Sequence, residues 1–301
     1  MKTSTSTDRW NTLNRFIISQ SPITMYIKLE YAHLLKIHEE IIPSSLQMLS
    51  EQIKNDNCLK NPVVVDDRTL TVLDGSHRYV ALKDVLGVSY IPICAIDYDS
   101  PLVKVGVWYR IVQGEHPKIG DIVKQLTYDD LERIDLNQAD ELLNRREIAY
   151  CVVLKDRVFA KFKKFTCSIE AYLELKKAEN AILKHGLQLQ YLSDLHTALE
   201  KISIGEACTL IIPPPISKED VRNVALRGLL YPPKSTRHVI PSRPLFLNIP
   251  LNLLYDQVDK EHANTQLMNH LSKGVFEKLP PFTSVDDRVY AEEVLIFRRV
   301  C

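Results

Sequence analysis

The sequence has no excess of charge of either sign. Lys and Arg together number 38, Asp and Glu also number 38, and the formal net charge is zero. Proteins that bind nucleic acid mainly by electrostatic attraction carry a basic face, because they neutralise backbone phosphates. The balance of charge therefore argues against a nucleic-acid partner, although it leaves room for a local basic pocket.

Long apolar runs are also missing. No run approaches the ~18 residues that a membrane-spanning helix needs, and the start, MKTSTSTDRWNTLNRF, lacks the apolar centre of a secretory signal. The six cysteines have no CxxC spacing, and most lie in apolar runs such as IPICAI and YCVVL. This pattern favours reduced, buried thiols over a disulfide or zinc framework. We expect a cytoplasmic protein with no membrane partner.

The order of apolar and polar segments predicts a mixed α/β protein with two domains. The chain has 301 residues, of which 45% are hydrophobic, enough for one large or two modest cores. One β/α rhythm begins at Ile23, and a second begins after a charged, helix-prone stretch. The predicted divisions are a flexible N-terminal arm (1–22), a first domain (23–125), a helical connector (126–150), a second, smaller α/β domain (151–254) and a C-terminal extension of unknown role (255–301).

Local signals predict individual elements. Pro43 begins a helix that runs through Ile53, with its apolar residues spaced three and four apart. The run YCVVLKDRVFAKF predicts a hairpin about Lys155-Asp156. Ser168 is the predicted N-cap of the following helix, and Ser217 with Asp220 matches a capping box. By composition, YPPKSTRHVIPSRP is a loop.

One turn concentrates reactive side chains between a predicted strand and a predicted short helix. VLDGSHRYVAL contains, in succession, Asp74, Gly75, Ser76, His77 and Arg78. A helix start attracts anions, glycine lets the backbone approach a phosphate, and His and Arg add donors. Asp74 suits a Mg²⁺ ligand or a group that positions a hydroxyl. In the alternative, structural interpretation, Asp74 caps the helix and Arg78 pairs with a surface acid.

A second cluster lies in the predicted loop. Lys234, Ser235, Thr236, Arg237 and His238 follow two prolines. Two cations, two hydroxyls and an imidazole can hold a phosphate, and we assign Lys234 to that role. The alternative is a solvated basic loop.

A third cluster, KIHEEII, contains Lys36, His38, Glu39 and Glu40. A carboxylate beside apolar residues can act as a general base. The alternative is a pair of ordinary solvated acids.

Together these stretches resemble the free L-serine kinases of the ParB/sulfiredoxin-like superfamily. The resemblance rests on VLDGSHRYVALKDVLGVSYIPICAIDY, on HEEIIP upstream and on PPPISKEDVRNVALRGLLYPPKSTRHVIPSRP downstream, and it covers roughly residues 23–254. It implies a ParB/sulfiredoxin-like N-terminal domain, a second α/β domain and an active site in the cleft between them. The implied reaction converts free L-serine to O-phospho-L-serine with ATP or ADP and Mg²⁺.

The resemblance also implies roles for matching residues in the first domain. Glu39, directly after the histidine of the HE motif, is the implied catalytic base, and Glu40 is the alternative. Asp74 is implied to act with the hydroxyl and the metal, and His77 and Arg78 to hold phosphate oxygens.

Further along the chain, Trp108 in VGVWYR is implied to line the amino-acid pocket. The family's TTRH-type loop corresponds to Ser235, Thr236, Arg237 and His238, an implied clamp for phosphate and phosphoserine. Serine stands where the family has threonine at the first of these positions, which keeps a hydroxyl.

Neighbouring branches of the superfamily fit less well. Sulfiredoxin-like enzymes need a reactive cysteine directly before His-Arg, and this chain has Ser76 there. ParB-type clamps carry Glu-Arg-Arg in the phosphate motif, and here the motif is Ser-His-Arg. The chain also lacks the Walker A and HRD/DFG motifs of other kinases. The alternatives to a serine kinase are a non-catalytic nucleotide- or ligand-sensing regulator of a biosynthetic operon and a ParB-like DNA-binding protein.

Overall fold

A computed structural model describes residues 10–11, 15–19, 22–113, 131–256, 259–286 and 288–300. The chain divides into two compact units. The first unit consists of Met1–Lys104, Ala225–Gly228 and His238–Cys301, and the second of Val105–Val224 and Leu229–Arg237. Within the described ranges, no helix combines the length and the apolar character that a membrane crossing requires.

The secondary structure alternates strands and helices along both units, which confirms the predicted α/β class. The strands are β1 (Trp10–Asn11), β2 (Arg15–Ser19), β3 (Met25–Tyr31), β4 (Cys58–Leu59), β5 (Val63–Asp66), β6 (Val72–Asp74), β7 (Tyr90–Ile96), β8 (Lys104–Val107), β9 (Tyr109–Gln113), β10 (Leu131–Ile134), β11 (Ile148–Val153), β12 (Val158–Phe162), β13 (Leu189–Leu192), β14 (Ala207–Ile212), β15 (Thr236–Val239), β16 (Arg243–Leu245), β17 (Ile249–Pro250), β18 (Gly274–Leu279), β19 (Thr283–Val285), β20 (Arg288–Tyr290) and β21 (Val294–Arg299). The helices are α1 (Pro43–Asp56), α2 (Ser76–Val80, continued by a π-helical turn over Ala81–Val85), α3 (Leu136–Asn144), α4 (Ser168–Lys184), α5 (Leu195–Ser203), α6 (Lys218–Leu226) and α7 (Lys260–Leu271).

The first unit is built on a mixed sheet of six strands in the order β1-β2-β3-β7-β5-β6. Strand β5 is parallel to β7, whereas β6 returns antiparallel to β5. Every residue of β5 and β7 is buried, because these apolar strands have neighbours on both edges and cover on both faces. The sheet therefore fixes the carboxyl end of β6, where Asp74 lies, at the edge of a rigid core.

The N-terminal residues differ from the predicted flexible arm over 1–22. Within the described part of that range, β2 pairs antiparallel with β3, and Phe16 is opposite Ile27. Phe16 is buried, and its ring lies 6.3 Å from that of Phe276. Residues 1–9, 12–14 and 20–21 lie outside the described residues.

The predicted C-terminal extension also belongs to the first unit. Asn264 on α7 accepts a hydrogen bond at 2.7 Å from the backbone N–H of Leu29 on β3. Strand β21 lies parallel to β16 and antiparallel to β18 in a separate three-stranded sheet. The unit boundary after Arg237 thus differs from the boundary predicted after residue 254, and the last part of the chain is built into the first unit.

The second unit contains an antiparallel sheet in the order β10-β12-β11-β14-β9-β13. The hairpin predicted about Lys155-Asp156 is confirmed, because Val153 on β11 pairs with Val158 on β12. The predicted helical connector over 126–150 is wrong in part. Residues 126–130 lie outside the described residues, 131–134 form β10, and the helix is confined to Leu136–Asn144.

Two predicted helix starts are resolved by side-chain contacts. The Ser217 hydroxyl accepts from the Asp220 N–H at 3.0 Å and Asp220 accepts from the Ser217 N–H at 3.0 Å, which confirms that capping box. Ser168 is not an N-cap, because Cys167 occupies that position. Ser168 is instead buried, and its hydroxyl lies 2.5 Å from that of Tyr231.

Candidate active site

The turn after β6 is built around a close approach of two neighbouring residues. Gly75 has a φ of 95° and forms the N-cap of α2. A Cβ at this position would lie 2.6 Å from Nη2 of Arg78, so only glycine fits without moving the guanidinium. Gly75, which has no side chain, therefore occupies the N-cap position. Asp74 is not the N-cap residue, in contrast to the structural interpretation of this turn.

Asp74 instead holds two arginines on one carboxylate oxygen. Its Oδ2 lies 2.6 Å from Nη2 of Arg78 and 2.8 Å from Nη1 of Arg243. The partner of Arg78 is thus the acid of its own motif rather than a separate surface acid. Arg78 remains a possible anion donor, because its Nε is buried and has no hydrogen-bond partner among the described residues.

Arg243 is a site residue that the sequence did not single out. Its side chain is only 4% exposed, and its Nη2 donates to Oε1 of Glu292 and to the carbonyl of His238, each at 3.1 Å. Burial acts to lower the pKa of the guanidinium, but the charges of Asp74 and Glu292 outweigh burial and raise it. Arg243 is therefore a fixed positive charge beneath the turn.

This arrangement does not fit the prediction that Asp74 is a Mg²⁺ ligand. A metal ion on Oδ2 would compete with two guanidinium groups at 2.6 Å and 2.8 Å. The part of the chain that the structure describes also contains no group of three His, Cys, Asp or Glu side chains suited to a metal ion. Mg²⁺ in nucleotide sites keeps several waters and binds substrate phosphates. The turn is better described as an arginine-holding site than as a dedicated metal site.

His77 connects this turn to the segment that carries Glu39. Its Nε2 accepts a hydrogen bond from the backbone N–H of Ile42 at 3.0 Å, so Nε2 carries no proton and a neutral ring has its proton on Nδ1. The implied role of His77 in holding phosphate oxygens stays a prediction. Glu39 and Glu40 are both half-buried, three and two residues before Ile42.

Two further histidines lie in the interior. His38 and His238 pack edge to face with ring centroids 5.5 Å apart, and Nε2 of His238 shares a 2.7 Å hydrogen bond with the hydroxyl of Tyr98. Burial lowers the pKa of His38 to about 4 and lowers that of His238 well below its usual value. Burial therefore favours the neutral form of His238, and its implied part in a phosphate clamp stays a prediction.

In the second unit, Trp108 and the KSTR segment lie together. The indole Nε1 donates to the carbonyl of Thr236 at 3.0 Å. Nζ of Lys234 lies 5.4 Å from the centre of the Trp108 ring, and Cζ of Arg237 lies 5.7 Å from it. Ser235 is buried, and its hydroxyl donates to the Pro232 carbonyl at 2.7 Å. Two cations thus flank one aromatic ring, while Ser235 stabilises the turn that presents them.

A buried ion pair supports this cluster and was missed by the sequence reasoning. Arg110 is fully buried, and its Nε donates to Oε1 of Glu179 at 2.5 Å. The same guanidinium donates to the Lys234 carbonyl at 3.1 Å and also to the carbonyl of Trp108. Arg110 therefore fixes the backbone on both sides of the Trp108 cluster. Arg110 lies in an apolar strand, and Glu179 is 69 residues away in the chain. No short segment of the sequence therefore indicates this ion pair.

Comparisons with known proteins identify relatives along most of the chain. An ATP-dependent L-serine kinase of Desulfurococcus mucosus is 30% identical, over 72% of this chain and 86% of the relative. An ADP-dependent L-serine kinase of Thermococcus kodakarensis is 29% identical, over 73% of this chain and 90% of the relative. A solved structure of a free serine kinase in complex with AMP has a TM-score of 0.64 at 26% identity and covers 76% of this chain and 93% of that one. No protein-family model matches the sequence.

Proposed function

The chain belongs to the L-serine kinase family, and we propose that it transfers the terminal phosphoryl group of ATP or ADP to the hydroxyl of free L-serine. The products are O-phospho-L-serine and the nucleotide shortened by one phosphate. The observation that supports this most strongly is the turn in which Gly75 makes room for Arg78 while Asp74 holds Arg78 and Arg243. The turn is part of the stretch VLDGSHRYVAL on which the resemblance to that family rests, and its guanidinium is suited to an anion.

We propose Glu39 as the general base. The serine hydroxyl gives its proton to the carboxylate as its oxygen forms the new bond to phosphorus, and the bond from phosphorus to the leaving nucleotide oxygen breaks. Glu39 is half-buried, and the hydrogen bond between Ile42 and His77 holds its segment against the DGSHR turn. Such a tether reduces the movement that the segment must make when substrate arrives.

The proposed phosphate-binding groups in the first unit are Arg78, His77, and Gly75 with Ser76. The buried Nε of Arg78, which has no hydrogen-bond partner among the described residues, is a donor suited to a phosphate oxygen. Asp74 serves as the anchor that fixes the guanidinium. Mg²⁺ would enter bound to the nucleotide and reduce the charge of its phosphates, and no residue of the turn is assigned to it.

In the second unit, the cluster of Trp108, Lys234, Thr236 and Arg237 is the proposed binding surface for the amino acid and its phosphate. Arg237 and Lys234 supply positive charge beside the ring. The indole supplies an apolar wall whose N–H is already bonded to Thr236. Ser235, being buried, acts by holding the turn rather than by touching substrate.

The test is to incubate the purified protein with L-serine and Mg²⁺ and with either ATP or ADP. Phosphoserine with AMP identifies ADP as donor, and phosphoserine with ADP identifies ATP. Absence of phosphoserine with both nucleotides would overturn the proposal.

A further inference from the structure

Arg243, which pairs with Asp74, also pairs with a carboxylate from the last part of the chain. Glu292 lies in the turn between β20 and β21, is 8% exposed, and accepts from Nη2 of Arg243 at 3.1 Å. We propose that Glu292 is a positioning residue for phosphoryl transfer, because it fixes Arg243, and Arg243 fixes Asp74. This inference rests on the function proposed above and extends it to the part of the chain beyond residue 254, for which the sequence indicates no role.

The geometry of Arg243 supports this role. A guanidinium is planar, so a contact on one side of the fork sets the direction of the other side. Nη1 faces Asp74 at 2.8 Å, whereas Nη2 is held by Glu292 and by the His238 carbonyl, both at 3.1 Å. Without Glu292, only the carbonyl of His238 would remain to orient Nη2 of Arg243.

Charge balance points the same way. The cluster contains Arg78, Arg243, Asp74 and Glu292, so its two positive and two negative charges cancel. Arg243 is almost fully buried, and a buried charge that loses its partner is strongly unfavourable. Without Glu292, Asp74 would be the remaining carboxylate partner of Arg243 among the described residues. The carboxylate would then shift towards Arg243 and hold Arg78 less firmly.

Backbone pairing explains how a remote segment reaches this position. Arg243 at the start of β16 is directly opposite Val294 at the start of β21 in a parallel ladder. Glu292 is two residues before Val294, so the register of these strands sets it beside the guanidinium. Strand β21 is fixed in turn by antiparallel pairing with β18, in which Leu279 is opposite Val294.

The neighbouring glutamate provides a matched control. Glu293 accepts from the Ser242 hydroxyl at 2.5 Å and pairs with Lys278 at 2.9 Å. It lies in the same turn as Glu292, but it contacts Ser242 and Lys278 rather than Arg243. The same substitution at both positions therefore separates a role at the site from a general effect on the turn.

The experiment measures kcat and KM for serine in the wild type, Glu292→Gln, Glu293→Gln, Asp74→Asn and the double variant Glu292→Gln/Asp74→Asn. We expect Glu292→Gln to lower kcat about tenfold or more with KM within about threefold, and Glu293→Gln to stay within about twofold. In the Asp74→Asn background, Glu292→Gln should lower kcat by less than about twofold, because the residue it acts through is already altered. Thermal melting and ADP affinity are measured for each variant as readouts independent of turnover.

Three results would overturn the inference. Glu292→Gln could keep the wild-type kcat, or it could change only KM. It could also lower kcat by the same factor in the wild-type and Asp74→Asn backgrounds. If Glu292→Gln does not melt cooperatively, Glu292→Asp replaces it in the same cycle, since it keeps the charge and withdraws the carboxylate. A wild-type protein that forms no phosphoserine would instead contradict the proposed function, so the two failures are distinguishable.

Discussion

Nε2 of His77 accepts a hydrogen bond from the backbone N–H of Ile42 at 3.0 Å. The bond joins the DGSHR turn to the HEEII segment, which are far apart in sequence and carry different proposed roles. This contact of Nε2 is distinct from the phosphate contact proposed for His77, which would use the other of the two ring nitrogens.

Substitutions at His77 can separate these nitrogens. A glutamine places an acceptor near the position of Nε2, whereas asparagine places one near Nδ1 and cannot reach Ile42. We expect His77→Asn to lower kcat about tenfold or more and His77→Gln to keep a larger share of it. Steady-state kinetics checks this, and equal losses in both variants would show that the Ile42 contact does not matter.

Glu39→Gln should abolish phosphoserine formation and leave nucleotide affinity close to that of the wild type. A general base acts on the chemical step, and the amide keeps the shape of the side chain while losing the proton acceptor. Glu40→Gln is the matched control, since Glu40 is the adjacent, equally half-buried carboxylate. Turnover that survives in Glu39→Gln and is lost in Glu40→Gln would transfer the role of base to Glu40.

Asp74→Asn should reduce turnover at least ~100-fold, which corresponds to about 2.7 kcal/mol of transition-state stabilisation. The amide cannot balance the charges of Arg78 and Arg243, both within 2.8 Å of the carboxylate. The melting temperature should also fall, because breaking a buried ion pair costs roughly 3 kcal/mol or more when a partner charge remains buried. Wild-type turnover in a folded Asp74→Asn variant would remove the DGSHR turn from the site.

Arg237→Ala should weaken phosphoserine binding by about 1.5–3 kcal/mol, the usual contribution of a hydrogen bond to a charged group. Arg227→Ala is the control, because Arg227 is an exposed arginine close in sequence. Calorimetric titration with phosphoserine gives both affinities. Equal affinities in the two variants would show that Arg237 contacts no substrate phosphate.

The pH dependence of stability should report the buried His38. Its pKa is about 4 in the folded chain against 6.5 for an ordinary histidine, so the unfolded chain binds the proton first as pH falls. The contribution of His38 to the free energy of unfolding is fully present above pH 6.5 and is lost as pH falls towards 4. The loss amounts to about 3 kcal/mol at most. His238 acts in the same direction.

Urea unfolding between pH 7 and pH 4 measures this effect in the wild type and in His38→Gln. The variant should lose less stability over the window than the wild type, whatever its stability at pH 7. His196→Gln, at an exposed position in the second unit, is the control. Parallel pH profiles for wild type and His38→Gln would contradict a buried, neutral His38.

The sequence predicted those parts of the site that are local in the chain. Gly75 beside Arg78 is recognisable from one short motif. Arg243 and Glu292 are not, because Arg243 is 169 residues from Asp74 in the chain and no single segment shows the pair. The lowered pKa of His238 was also beyond the sequence, since it depends on burial.

The fold was predicted best where apolar periodicity was strong. The fully buried β7 and the hairpin of β11 and β12 follow directly from β-branched runs. The N-terminal strand β2 was missed because its short apolar run is set in a polar, Ser- and Thr-rich start. The last part of the chain was missed because its membership of the first unit depends on long-range contacts, such as Asn264 with Leu29.

The most direct test of the account is the stoichiometry of turnover. Purified protein is incubated with a limiting amount of ATP or ADP and Mg²⁺, with and without L-serine, and nucleotides and phosphoserine are quantified together. The account predicts one phosphoserine for each nucleotide shortened by one phosphate, no nucleotide consumption without serine, and neither product in Glu39→Gln. Nucleotide that binds but is not consumed in the presence of serine would contradict it and indicate a sensor rather than a kinase.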